Sequence, residues 1–380
     1  MPKQLLCRLI ISFKEIKMSN KLCLVLSVLL TTGMLLAACA PAAPTAAPVQ
    51  PTTAPAATAA ALPDGASIKV GLVTDTGGVN DQAFNQLAWE GVQKASTDMG
   101  LQAKFLESRQ PTDYEMNIDA LAAEAYNVII TVGSLMGDAT ALKAKQYPDI
   151  KFAIIDNSYS DGDLTNVTSL MFAEDQVGFL AGVLAGGMSR SGFVCSVSSM
   201  RTPQSDRYVI SFHAGATWQA GPELKIMNNY INIKTTDENV PSFDDSTQGK
   251  ETALRLIGNG CDVVFGVGGD AVNGALLAAK ENNLPAVGAD VDEYNTDPEV
   301  QSALITSAMK NVDVAVYNYL KTVADGSVKA GISTGTLQNG GVGLAPFHDW
   351  DSKIPADLKA QIQKASDGIK DGSIKIDLPQ

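Results

Sequence analysis

The chain has 380 residues, 45% of them hydrophobic and 18% charged, which is enough for two globular domains. Its formal net charge is −13; Lys3, Arg8, Lys14, Lys17 and Lys21 against Glu15 put +4 on residues 1–38 and leave −17 on the rest. So acidic a body argues against nucleic acid as a partner, because phosphate binding needs a basic face. Only two histidines are present, His213 and His348, which excludes a histidine-rich metal site.

Residues 1–38 read as a leader. Met18 is a second plausible start, followed by a short basic region that includes Lys21. Residues 22–36 are apolar, short for a membrane span and of signal-peptide length. The run ends in Leu36-Ala37-Ala38-Cys39, small residues before a cysteine as in a bacterial lipobox. The expectation is removal of residues 1–38 as a signal peptide and lipidation of Cys39, which would hold the exported protein to the outer face of the cell membrane. A plain secretory signal is the alternative. Residues 39–67 are mostly Pro, Ala and Thr, a composition that cannot bury a core and predicts an extended tether.

From residue 68 the chain alternates strand and helix. Strands are expected at 68–74, 103–106, 128–132, 152–155 and 167–172, with helices at 81–99, 114–125 and 137–146; Gly100, Pro111, Pro148 and Gly162 punctuate them. A second series places strands at 192–197, 225–231, 263–267, 286–289 and 303–306, and helices at 207–218, 245–259, 272–282 and 312–324. Such alternation predicts parallel sheets covered by helices. One open sheet of ten strands would be unusual, so two sets of five predict an α/β protein of two Rossmann-like lobes joined by a hinge. The first lobe would take residues 68–173 plus about 311–330, and the second residues 174–310 plus about 331–380, with the first crossing in the small, apolar stretch 171–182. Residues 334–344 carry Gly335, Gly340, Gly341 and Gly343 between short strands, and 355–371 reads as a surface helix. Cys195 and Cys261 sit at core strand positions and read as two buried thiols. A disulfide between them is open to an exported protein, but their spacing does not require it.

The chemistry is concentrated at strand ends. Residues 68–91, IKVGLVTDTGGVNDQAFNQLAWEG, form a strand, a glycine loop and a helix start, with Asp81 at the expected N-cap and Asn85 in the first turn. Open α/β sheets bind ligands at such loops, where the carboxylates of Asp75 and Asp81 would meet sugar hydroxyls; the plainer reading is a capped turn. Asp290 also follows a strand, and its carboxylate suits a vicinal diol such as a ribose, or simply a turn. Gly266-x-Gly268-x-x-Ala271 imitates a dinucleotide fingerprint, but no acidic residue stands at a strand end about 20 residues on. Glycines that let a ligand approach the backbone are the better reading there. Ser307-Ala308-Met309-Lys310 matches S-x-x-K without the companion β-lactamase motifs, leaving Lys310 as a donor into the cleft or a surface lysine. Phe243 stands in a polar loop, as a stacking platform or packed on its own lobe. Ser134 and Asp156 follow strands and would line the same cleft or cap helices. With no C-x-x-C, H-E-x-x-H, P-loop or G-x-S-x-G and no nucleophile–base pair, the pattern speaks for binding rather than catalysis, without cofactor or metal.

Taken together, VGLVTDTGGVNDQAFNQLAWEGVQ, EDQVGFLAGVLAG, SFDDSTQGKETA, GCDVVFGVGGDAVNGALLAA, VGADVDEYN and LITSAMKNVDVAV resemble the basic membrane protein family across roughly residues 68–344. These are lipoproteins of the type I periplasmic-binding fold that bind nucleosides for ABC transporters. The resemblance implies a purine nucleoside between the lobes, its base sandwiched by aromatics and its ribose held by carboxylates and a lysine. Asp81 and Asn85 would come from the opening motif, Phe243 would stack on the base, and Gly269 would approach it closely. Asp290 and Lys310 would hold the ribose or an adjacent polar edge; Asp75, Phe84, Ser134 and Asp156 are further candidates. Gly77-Gly78-Val79-Asn80 stands where some relatives carry an aromatic, so a second stacking face would come from elsewhere, such as Leu135 or Met136. Implied partners are a nucleoside and ABC permease subunits, with the membrane reached only through the lipid anchor, no nucleic acid, and a monomeric state. The alternatives are a sugar or autoinducer receptor of the same fold, or an envelope signalling lipoprotein without transport. An enzyme such as a nucleoside hydrolase would want an aspartate cluster at one strand end.

Overall fold

A computed structural model describes residues 67–160, 162–231 and 246–378. The leader, Cys39, most of the tether and Phe243 lie outside the described residues. Twelve strands fall in the described parts: β1 Lys69–Val73, β2 Gln102–Leu106, β3 Val128–Val132, β4 Lys151–Ile155, β5 Val167–Phe172, β6 Phe193–Ser198, β7 Lys225–Tyr230, β8 Val263–Val267, β9 Ala286–Asp290, β10 Leu304–Lys310, β11 Gly331–Gly335 and β12 Val342–Leu344. They form two six-stranded sheets, ordered β11-β5-β4-β3-β1-β2 and β12-β10-β9-β8-β6-β7. Every pairing among β1 to β5 and among β6 to β10 is parallel. Without their last strands the two sheets have one order, 2-1-3-4-5. Each therefore reverses direction between its first and third strands, the crevice where open sheets take ligands.

The strands read as apolar runs because both faces are covered. β3, β8 and β9 are buried along their whole length, as expected of parallel sheets between helices. The chain crosses between the lobes after β5, after β10 and between β11 and β12. β11 adds to the first sheet beside β5 in parallel, and β12 adds to the second beside β10 in antiparallel. Residues 331–335 were expected in the second lobe; their pairing with β5 puts them in the first sheet. A five-residue edge strand rich in Gly, Ser and Thr carries no local sign of which sheet it will join.

Helix Glu174–Met188 packs on helix Pro203–Ala220 through small residues, which is the physical use of the stretch around Leu180-Ala181-Gly182. A β-carbon at Gly182 would overlap the carbonyl oxygen of Phe212, so the two backbones touch there. Three boundaries differ from expectation for local reasons. Helix Pro203–Ala220 begins four residues early because Thr202 and Ser205 form a reciprocal cap with Pro203 in the first turn. Helix Phe84–Met99 begins after Asp81 because Gln82 is left-handed, at φ 57°. β10 runs on to Lys310 because β12 pairs with residues 308–310.

The two cysteines, expected as thiols, are joined: Cys195 and Cys261 form a disulfide closing 66 residues. Cys195 lies in β6 and Cys261 two residues before β8, and only the parallel pairing of those strands makes them neighbours. Both are buried. On loop-closure entropy the bridge contributes about 4 kcal/mol. A Cys195→Ala/Cys261→Ala variant is expected to lose stability toward that amount in urea unfolding, and mild reductant should leave the folded parent oxidised.

Candidate functional site

The loops at the carboxyl ends of both sheets enclose one cleft of about 750 Å³, including its solvent-facing mouth. Both switch points open into it: the loops after β1 and β3 supply Asp75, Gly133 and Ser134, and those after β6 and β8 supply Ser199, Gly268 and Gly269. Of the ten ligand candidates named from the sequence, Asp75, Asp81, Phe84, Asn85, Ser134, Asp156, Gly269, Asp290 and Lys310 all line this cleft. Phe243 lies outside the described residues.

On the first lobe, Asp81 caps its helix from three residues ahead. Its carboxylate accepts the amides of Ala83, Asn85 and Gln86 at 2.8–3.1 Å. The Asn85 side chain donates one amide hydrogen to Asp75 and the other to Asp81, both at 3.1 Å. Carboxylates on both sides dictate that the nitrogen faces them, so the Asn85 carbonyl oxygen is the atom left over, buried and without a partner. Burial pushes the Asp75 carboxyl up to about 6, against the lowering pull of the Gly77 amide and Asn85. Burial also raises Asp81, against the amides it accepts.

The second lobe brings Lys310, the last residue of β10. Its ammonium is buried and lies 2.5 Å from Asp156, 3.0 Å from Glu174 and 3.9 Å from Asp290. Desolvation alone would lower its pKa; the three carboxylates outweigh it and raise it. Glu174 is pushed by burial to about 7, with Lys310 pulling the other way and Asp156 adding to the rise. Asp290 is also raised by burial, opposed by Lys310, and the Tyr208 hydroxyl lies 3.2 Å from its carboxylate and 3.0 Å from the Ala308 carbonyl. Asp156 and Asp290 follow or end corresponding strands, β4 and β9, and both are left-handed, at φ 64° and 65°. Aspartate tolerates this better than most residues, yet it is uncommon.

The glycine turn after β8 is shaped by close packing. A β-carbon on Gly268, at φ 122°, would overlap the Ser199 side chain in the loop after β6. The apolar walls are Phe84, Leu135 and Met200, while Met136 is fully buried outside the lining. Phe84 is half-buried, with the Lys310 ammonium 5.3 Å from its ring centre. Reading the sequence missed Glu174, Ser199, Gln204 and Tyr208. Glu174 and Asp175 look like ordinary acids in a helix first turn, and Tyr208 like a core residue; no local pattern marks any of the four. Among the described residues no group of His, Cys, Asp and Glu could hold a metal ion, and no helix is long and apolar enough to cross a membrane.

Two doubly wound lobes with one polar cleft across both switch points define a solute-binding protein of the type I periplasmic-binding class. A solute-binding protein of an ABC transporter system from Aeropyrum pernix has this fold, with a TM-score of 0.73 and 26% identity over 82% of this chain and 94% of that one. The CD4+ T-cell-stimulating antigen of Listeria monocytogenes is 30% identical over 81% of this chain and 87% of its own length. The ABC transporter nucleoside-binding protein BmpA of Lactococcus lactis is 29% identical over 81% and 89%. Residues 68–377 match the Bmp family, described as ABC transporter substrate-binding protein PnrA-like. The chain belongs to that family and is an ABC transporter substrate-binding protein.

The raised carboxyl of Asp75 has a stability consequence. The fold favours its protonated form, so its contribution is fully present below about pH 4 and lost as pH rises through about 6. Asp75→Asn should stabilise the protein at pH 7–8 by up to about 3 kcal/mol and change little below about pH 4, as read from urea midpoints across that range.

Proposed function

We propose that this protein captures a purine nucleoside in the interlobe cleft and delivers it to the permease of an ABC importer, held at the outer face of the cell membrane by a lipidated Cys39. The observation that carries the reading is that polar groups of both lobes and apolar side chains line one cleft. The first lobe offers the unpartnered Asn85 carbonyl beside the Asp75 carboxylate, acceptors for the ring and exocyclic N–H groups of a base, with Asp81 holding Asn85 in place. The second lobe offers Asp290, an acceptor for the hydroxyls of a ribose, beside the paired Lys310 ammonium that holds the carboxylate in place. Leu135, Met200 and Phe84 give the flat faces of a base an apolar surface, and Phe243 would add a stacking ring. The nucleoside-binding relative supports the same reading. Binding would draw the lobes together by hinge bending at the three crossings. A monomer suffices, since all the named groups come from one chain.

The charge of the cleft sets the ligand class more narrowly. Five aspartates and one lysine are found among its described lining residues, and the lysine is already paired. A phosphate would meet these carboxylates and, among the described lining residues, no cation free of them, so nucleosides are expected to bind and nucleotides to be refused. Isothermal titration with adenosine, guanosine, their 2′-deoxy forms and their monophosphates tests this. A 2′-deoxy analogue leaves a buried acceptor unpaired and should bind about 10- to 100-fold more weakly; the monophosphates should show no measurable binding. Equal binding of the deoxy forms would remove the ribose role of Asp290 and Lys310. A thermal-shift panel in which a sugar stabilises the protein and no nucleoside does would overturn the nucleoside reading.

A further inference from the structure

Asp156 is held from the opposite lobe at two points. Its carboxylate meets Lys310 at 2.5 Å. Its main-chain carbonyl accepts the side-chain amide of Gln204 at 2.6 Å, from the first turn of helix Pro203–Ala220. Lys310 and Gln204 reach it from different elements of the second lobe, while Asp156 belongs to the end of β4 and its own amide donates to Leu170 of the first sheet. Both groups that grip it are themselves placed: Gln204 by the Thr202–Ser205 cap, and Lys310 by the pairing of β12 on β10.

The three carboxylates around Lys310 are not equivalent. Asp290 sits on β9, beside β10 and in register with Met309, so it moves with the lysine. Glu174 opens the helix that follows the first crossing, close to the hinge. Only Asp156 lies out on the far lobe. Separating the lobes therefore withdraws Asp156 while Lys310 keeps two carboxylates, and no buried cation is stranded. The same geometry read backwards means that closure brings a charge-assisted bond and an amide bond to one residue at once. The left-handed backbone at Asp156 turns its carbonyl and its side chain toward these two donors.

We propose that Asp156 is a lobe-closing latch, gripped by Gln204 and Lys310, and that these two contacts, not ligand contacts alone, set how much of the protein is closed. The latch uses protein groups only, so it also acts before any ligand arrives. Asp156 and Gln204 are then positioning residues: they hold the second lobe, and with it Asp290 and Lys310, at the distance the cleft needs. The proposal concerns the cleft assigned above to a nucleoside, but its first test does not depend on which ligand that is.

Asp156→Asn keeps the shape of the side chain and removes its charge, and Gln204→Ala removes the second contact from a half-buried position where folding is safe. Small-angle X-ray scattering of ligand-free parent and variants should give a larger radius of gyration for both variants, with thermal melts confirming that each is folded. Ligand-free curves that coincide with the parent for both variants overturn the latch. With adenosine as the probe, stopped-flow dissociation should be at least tenfold faster from each variant; an unchanged rate from Gln204→Ala also overturns it. If adenosine binds none of the proteins, the nucleoside reading fails while the ligand-free scattering still decides the latch.

Discussion

The buried ammonium of Lys310 is the constraint around which the cleft is organised. An isolated charge in that position would be prohibitively costly, and three carboxylates from three different elements remove the cost. Each of them is thereby tied to a place: Asp290 to the second lobe, Asp156 to the first, Glu174 to the crossing between them. Burial favours the protonated forms of Glu174 and Asp290, and Lys310 opposes it in both.

The fold explains why such a cluster forms between the lobes rather than inside one. Two sheets with the same 2-1-3-4-5 order place two switch points opposite one another, and β1 to β5 and β6 to β10 all turn their carboxyl ends to the cleft. Corresponding positions then receive corresponding residues, as with Asp156 and Asp290, both left-handed aspartates at the ends of β4 and β9. The exchanged edge strands bind the arrangement together. β11 closes the first sheet and β12 the second, so the third crossing runs between strands that are each anchored in a different sheet.

Much of this was legible locally. β3, β5 and β8 stand where their apolar, β-branched residues place them, and helices Gly137–Gln146 and Val312–Ala324 coincide with their periodic patterns. Asp75, Ser134, Asp156, Asp290 and Lys310 stand at the ends of parallel strands, where polar residues face the ligand crevice, while Asp81, Phe84, Asn85 and Gly269 take their ligand roles from the family motifs; all nine line the cleft. The strand-end rule does not reach polar residues that belong to helices outside those motifs. Glu174 and Gln204 sit in first turns, where an acid or an amide is ordinary, and their importance comes from what packs opposite. The start of helix Pro203–Ala220 was missed because Thr202 and Ser205 read as loop residues unless the reciprocal cap is recognised.

The sequence by itself determined the alternation of strands and helices, their division into two sets, the glycine turns and the aspartates at strand ends. Those features depend on residues two to four positions apart, whose spacing carries the physics of strand and helix. The tertiary structure alone decided which carboxylates surround Lys310, that Cys195 meets Cys261, and which sheet receives β11. Lys310 and Asp156 are 154 residues apart, and the cysteines 66. Pairings at such range depend on strand order and on the path of the crossings, which no local pattern records, and only close packing and the cost of a buried charge select among the partners that topology brings within reach.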